Sequence, residues 1–154
     1  MKLTDYISRE LIDPNLEISD KTDCLRRMVD MMGRQNAISD TRVGLEKILD
    51  REKMMSTGIG EGLAIPHAKT DVMKQSRVAF ARVVKGLDFD ALDGKPVHLV
   101  FLLIGPPDSA SLHVKILAGI ARLLRDPQVR ERFMQADTPE SVLRLLREEE
   151  KKRP

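Results

Sequence analysis

Three histidines, His67, His98 and His113, carry the imidazoles of this chain, the one side chain whose ordinary charge change falls near neutral pH. His67 has the most constrained surroundings. It closes the string Ser-Thr-Gly-Ile-Gly-Glu-Gly-Leu-Ala-Ile-Pro-His, residues 56–67. The alternating glycines open backbone conformations closed to residues with a Cβ. The run Leu63, Ala64, Ile65 reads as a short buried strand. Pro66 fixes its own φ and holds Ile65 extended, so His67 is presented at the end of a stiff segment. A neutral imidazole is a good nucleophile toward phosphorus, and its ordinary pKa of ~6.5 leaves it mostly uncharged at neutral pH. One ring nitrogen attacks if the other is held by a hydrogen bond. Phosphoryl transfer then asks for positioning and for donors to the equatorial oxygens, an arginine fork above all. Arg51, Ser56, Thr57 and the backbone amides of residues 58–62, Gly58 first among them, lie just upstream and supply those types.

Other chemistries fit less well. The three histidines are far apart in sequence, with no His-x-x-x-His pair and a single cysteine, so a zinc site lacks its ligand pattern and no metal is expected. The Gly58-x-Gly60-x-Gly62 spacing is not that of a dinucleotide fingerprint, and no Gly-Lys-Ser/Thr follows. A hairpin or bulge accounts for these glycines and is compatible with a reactive His67. His98 sits inside an apolar run and reads as a core or sheet-edge histidine with one satisfied hydrogen bond. His113 falls in the first turn of a helix, where free N–H groups and the positive end of the dipole lie. It is either an exposed histidine of the capping region or a second active-site imidazole.

The elements that must position these residues can be read from spacing. Asp20 or Ser19 caps a helix whose inner face is Leu25, Met28, Val29 and Met32. Asp40 or Ser39 caps a second, ending near residues 51–53. Leu16 and Ile18 alternate as a strand would. Residues 77–84 read as a strand broken by Gly86, and residues 97–104 as a central strand buried on both faces. A helix follows from about 110 to 125. Asp126-Pro127 and Thr138-Pro139 each place a capping residue before a proline at the first helical position. Residues 147–154 read as a solvated, fraying charge run. Strands alternating with helices give an α/β domain over residues 1–147, with helices covering a central sheet and a charged tail at 148–154.

Composition bounds the rest. The chain has 154 residues, long enough for one domain with a substantial core. It holds 26 basic and 24 acidic residues and no tryptophan, so neither an electrostatic footprint nor a stacking platform for nucleic acid is present. Cys24 lies inside a helical pattern as a packed small residue. No apolar run approaches the ~20 residues of a membrane span, and the start of the chain has no apolar leader core, so a cytoplasmic protein without membrane insertion is expected.

The string of residues 49–69 resembles the active-site signature of the type 2 enzyme IIA family of the bacterial phosphoenolpyruvate-dependent sugar phosphotransferase system. This family has fructose, mannitol and nitrogen-regulatory branches. The likeness is strongest at Arg51-Glu52, at Ser56-Thr57-Gly58-Ile59-Gly60 and at Ile65-Pro66-His67. It continues through residues 89–97 and through Leu112-His113-Val114-Lys115-Ile116-Leu117. It implies a mixed central sheet flanked by helices on both faces. It implies that His67 accepts a phosphoryl group from the phosphocarrier HPr or a paralogue and passes it to a IIB domain, or uses it to signal to a regulatory target. No resident cofactor is then needed, only a transient phosphohistidine. The matched positions imply Arg51 and His113 as partners of phospho-His67. The wording of residues 56–60 is nearer the fructose and nitrogen-regulatory branches, and a chain with no fused membrane or IIB domain is expected to be a regulatory or separately encoded IIA protein. From a different class, a module with the same fold could act by protein–protein contact alone.

Overall fold

The computed structural model describes residues 1–153. After two short 3-10 turns the chain runs β1 (Ile12–Asp13), α1 (Lys21–Arg34), α2 (Thr41–Met54), β2 (Gly58–Gly60), β3 (Leu63–Ala64), β4 (His67–Lys69), β5 (Arg77–Leu87) and β6 (Val97–Gly105). Helices α3 (Ala110–Leu123), α4 (Pro127–Gln135) and α5 (Pro139–Lys152) follow. The six strands form one mixed sheet in the order β1-β5-β6-β3-β2, with β4 also on β6. β5 and β6 are antiparallel; β1 runs parallel to β5, and β3 and β4 run parallel to β6. The α1–α2 pair packs on the sheet through β5 and β4, and the α4–α5 pair through β5, β6 and β1. This is the α/β arrangement expected, with a mixed sheet between helices.

The local reasons are those of the sequence. β6 is buried at every position except His98, as its unbroken apolar run requires. Asp20 caps α1 by accepting from the Asp23 N–H, and Asp40 caps α2 by accepting from Arg42 and Val43. Asp126 caps α4 and Thr138 caps α5, each ahead of its proline, the latter with a reciprocal bond to Ser141. Phe80, Phe101 and Phe133 meet with ring centroids 4.8–6.1 Å apart and lock α4 onto the sheet. Cys24 is buried beside Met28, and burial pushes its thiol up to about 12.

Three local expectations change. Residues 16–18 are not a strand: the short edge strand is Ile12–Asp13, and Leu16 only donates its N–H to the Arg82 carbonyl at 3.2 Å. β5 does not stop before Gly86 but passes through it to Leu87, with a shift of register between Arg82 and Leu87. Within the described residues the charged end, 147–153, is not a fraying run, and Pro154 lies outside them. α5 runs to Lys152, and Glu149 is only 2 % exposed because Arg132, Lys152 and Arg153 converge on its carboxylate. Glu150 accepts from the Leu3 and Thr4 amides, tying the last helix to the first turn of the chain.

One feature of the topology matters most for chemistry. β3 pairs with Leu99 and Val100, and β4 then pairs with residues 103–105 further along the same strand. Pro66 bridges the two, and its carbonyl accepts the Leu103 N–H at 2.9 Å. His67 is thereby laid against the C-terminal end of β6, the end from which the chain turns into α3 and His113.

Candidate active site

His67 opens β4, half-buried, opposite Leu103. Its Nδ1 lies 2.8 Å from the carbonyl oxygen of Ile65. A carbonyl only accepts, so Nδ1 carries the proton and Nε2 carries the lone pair. Ile65 can aim that carbonyl because Pro66 holds it extended and because its own N–H is tied to the Thr57 carbonyl at 3.0 Å. Burial lowers the proton affinity of His67. The Ile65 bond and Glu52 oppose that shift, while the charges of Arg51 and Lys69 add to it, and the net effect is a ring below its ordinary pKa. His67 is therefore an uncharged imidazole with one nitrogen held and the other bare.

Arg51 lies in the last turn of α2, the helix that packs against β4, and donates from Nη1 to the Met55 carbonyl at 2.7 Å. That bond caps the helix end and anchors a guanidinium whose charge reaches His67.

His113 is 4 % exposed in the first turn of α3. It is not an exposed capping residue: the ring is inside, its Nε2 3.1 Å from Ser76 Oγ and 3.0 Å from Ser109 Oγ. Room for it is made by Gly105, where a Cβ would overlap Ser76 Oγ and His113 Nε2. Burial brings the His113 pKa down to about 4, with Lys69 and His67 adding to the effect. Arg51 on α2 and Lys69 on β4 act electrostatically on His67, and His113 on α3 lies against Gly105, the β6 partner of Lys69.

Ser56, Thr57 and Gly58 are tied into the loop that leads to this centre. Ser56 donates its hydroxyl to the Phe89 carbonyl at 2.8 Å and accepts the Gly58 N–H at 3.1 Å. Thr57 gives both its N–H, at 3.1 Å, and its hydroxyl to the carboxylate of Glu52. Glu52, 9 % exposed, also pairs with Lys21 Nζ at 2.8 Å, and Lys21 reaches the Phe89 carbonyl at 3.2 Å and lies over the Phe89 ring. The glycines beyond form a hairpin. Glu61 (φ 57°) and Gly62 (φ 77°) both take left-handed backbone, as a two-residue turn between twisted strands requires. Asp93 accepts from Glu61 N–H and pins the tip.

His98 makes the single bond expected of it, Nδ1 to the Val83 carbonyl at 3.0 Å. Among the described residues no helix is long and apolar enough to cross a membrane.

Residues 5–149 match the family described as "Phosphoenolpyruvate-dependent sugar phosphotransferase system, EIIA 2". The chain belongs to this enzyme IIA family. It is 35% identical over 139 residues to the fructose-specific EIIA component of Haloferax volcanii, covering 90% of each chain. It is 32% identical over 151 residues to the fructose-specific EIIABC component of Bacillus subtilis, of which it spans only 24%. The crystal structure of the nitrogen regulatory protein IIA-Ntr from Neisseria meningitidis superimposes with a TM-score of 0.86 at 31% identity, over 92% of this chain and 97% of that one. Enzyme IIA proteins of this kind are phosphoryl carriers, with sugar-transport and nitrogen-regulatory members.

Within this enzyme IIA, the sequence singled out Glu52 only as part of the family likeness and did not disclose its bracing of the loop with Lys21, nor Ser76 and Ser109, which hold His113, nor a role for Lys69. Only Lys69 had a local signal: two residues beyond His67 on a strand, it shares that residue's side of the sheet.

Proposed function

We propose that His67 is the phosphoryl-accepting residue, charged by an HPr-like phosphocarrier and discharged to a IIB domain or read by a regulatory partner. The observation that carries this is the bond from His67 Nδ1 to the Ile65 carbonyl, which leaves Nε2 as a bare nucleophile on a half-buried ring. Nε2 attacks phosphorus in line. A new N–P bond forms as the donor's N–P bond breaks, and the donor imidazole leaves with the electron pair. No proton need move at His67, because its Nδ1 proton is already seated. Arg51 is the candidate to pair with the equatorial oxygens, since only one of its five donors is engaged by protein among the described residues. The product adds roughly two negative charges at neutral pH. That is enough to change which partner surface the site attracts, and it serves the regulatory reading as well as relay to a IIB domain.

Incubation with enzyme I, HPr and labelled phosphoenolpyruvate tests the assignment. Acid-labile, base-stable label on the wild type that is absent from His67→Ala is the expected result. Label retained by a folded His67→Ala protein would move the acceptor elsewhere, and no label on either would favour a module acting by contact alone.

A further inference from the structure

The two imidazoles of the site are held in opposite ways. His67 is bonded through Nδ1. His113 is bonded through Nε2, to two serine hydroxyls from different parts of the fold. A hydroxyl has one proton to give. Ser109 gives its proton to the Pro106 carbonyl, 2.5 Å away, so toward His113 its oxygen can only accept. A bare Nε2 would set its lone pair against that oxygen's lone pairs at 3.0 Å. Nε2 therefore carries the proton, and Ser76 Oγ at 3.1 Å is a second acceptor for it. Two further features of this corner go with that arrangement. Ser109 stands at the N-cap of α3 yet makes no capping bond, its hydroxyl being turned to Pro106 and His113. Gly105 leaves open the space in which Ser76 Oγ, Ser109 Oγ and His113 Nε2 converge.

We propose that Ser109 and Ser76 are positioning residues that fix His113 as its Nε2–H tautomer, so that the ring's bare Nδ1 takes up a proton from solvent when His67 carries a phosphoryl group. The charges acting on His113 from β4 are Lys69 and His67, both cationic or able to become so. At the start of β5, Arg77 is turned to the Ser76 carbonyl and Gln75. Asp108, before α3, and Lys115, on it, are exposed. Among the described residues no carboxylate acts on the ring, and burial with Lys69 and His67 disfavours a charged His113 in the resting protein. Phosphorylation reverses this. It places about two negative charges on the neighbouring ring, and the only vacant site for a compensating proton on His113 is Nδ1. The balance is one phosphoryl group gained at His67 and one proton gained at His113, with the donor imidazole released intact. Lower pH then favours the phosphorylated carrier through His113.

This rests on His67 as acceptor, and the test separates the two. In the unphosphorylated protein with nitrogen-15 histidine, long-range proton–nitrogen correlation should show His113 protonated at Nε2 and bare at Nδ1. Ser109→Ala should release that preference and Ser109→Thr should restore it. A His113 protonated at Nδ1 in the wild type would overturn the proposal whatever His67 does. The second arm measures the equilibrium of phosphoryl transfer from phospho-HPr between pH 6 and 8 for wild type and His113→Gln, so that the donor's own titration cancels. The wild-type to variant ratio of equilibrium constants should rise as pH falls, by up to tenfold per pH unit for one proton. A ratio flat in pH would overturn the coupling, whereas failure of both proteins to take label would count against His67 instead.

Discussion

Lowering the pH from 7 toward 4 puts a proton on His113 in the unfolded chain well before it does so in the folded one. In the unfolded chain the imidazole titrates near ~6.5. In the fold, burial between Ser76, Ser109 and Gly105, with Lys69 and His67 nearby, brings it down to about 4. Between those values the unfolded state binds a proton that the native state refuses, so stability must fall as pH falls. The contribution is complete above pH ~6.5, declines at about 1.4 kcal/mol per pH unit below it, and levels off near the folded value; the full drop is ~3 kcal/mol. Carboxylates titrate in the same range and His67 contributes with the same sign, so the wild-type curve alone cannot isolate His113. The difference between wild type and His113→Gln can. Urea unfolding of both proteins at half-unit steps from pH 7 to 4 should show the wild type losing ~3 kcal/mol relative to the variant. A stability difference constant across that range would refute the reasoning, since it would mean that His113 titrates alike in both states and is not held neutral.

Three further outcomes are expected. Gly105→Ala places a methyl against Ser76 Oγ and His113 Nε2; it should cost about 1–3 kcal/mol by overpacking and slow labelling of an unchanged His67, measured by urea midpoint and label rate. Full activity with unaltered stability would show that the corner gives way freely. Glu52→Gln removes the charge that Lys21 and Thr57 share; about 2 kcal/mol should be lost, and a double-mutant cycle with Lys21→Met should return a coupling above ~0.5 kcal/mol. Additive effects would show that the pair does not brace the loop. Arg51→Lys keeps a charge but not the fork and should slow phosphoryl acceptance about tenfold, ~1.4 kcal/mol at the transition state, with stability little changed. Unchanged single-turnover rates would remove Arg51 from the chemistry.

What could be read from the sequence divides along a physical line. α1, α2, α4 and α5 announce themselves because each begins with a side-chain cap that acts within three residues, Asp20, Asp40, Asp126 and Thr138. β6 announces itself because burial on both faces leaves no room for polar alternation. His67 was legible for a similar reason: Pro66 dictates the geometry of its own neighbours. Where the deciding contact lies far along the chain, local pattern misleads. Glu149 and Glu150 sit in a charge run that reads as solvated, yet Arg132 and the amides of Leu3 and Thr4 reach them from 17 and 146–147 residues away. β5 continues past Gly86 because its register with β6 resumes at Leu87 opposite Val97, a pairing that a lone glycine does not disclose.

His113 shows the same division at the candidate site. Its place in the first turn of α3 was readable, but the turn is compatible with an exposed ring. Ser76, 37 residues earlier, and the missing side chain of Gly105 turn the ring inward. Those two residues carry no pattern of their own, being a serine and a glycine among many, and acquire meaning only when β4, β5 and β6 bring their ends together. The proposed phosphoryl acceptor, His67, is therefore declared by its immediate neighbours, while the setting of His113, the group proposed to answer its charge, is fixed by tertiary packing. For that reason, variants that leave His67 and its string untouched, at Gly105, Ser109 or Ser76, should still change how readily this carrier is charged.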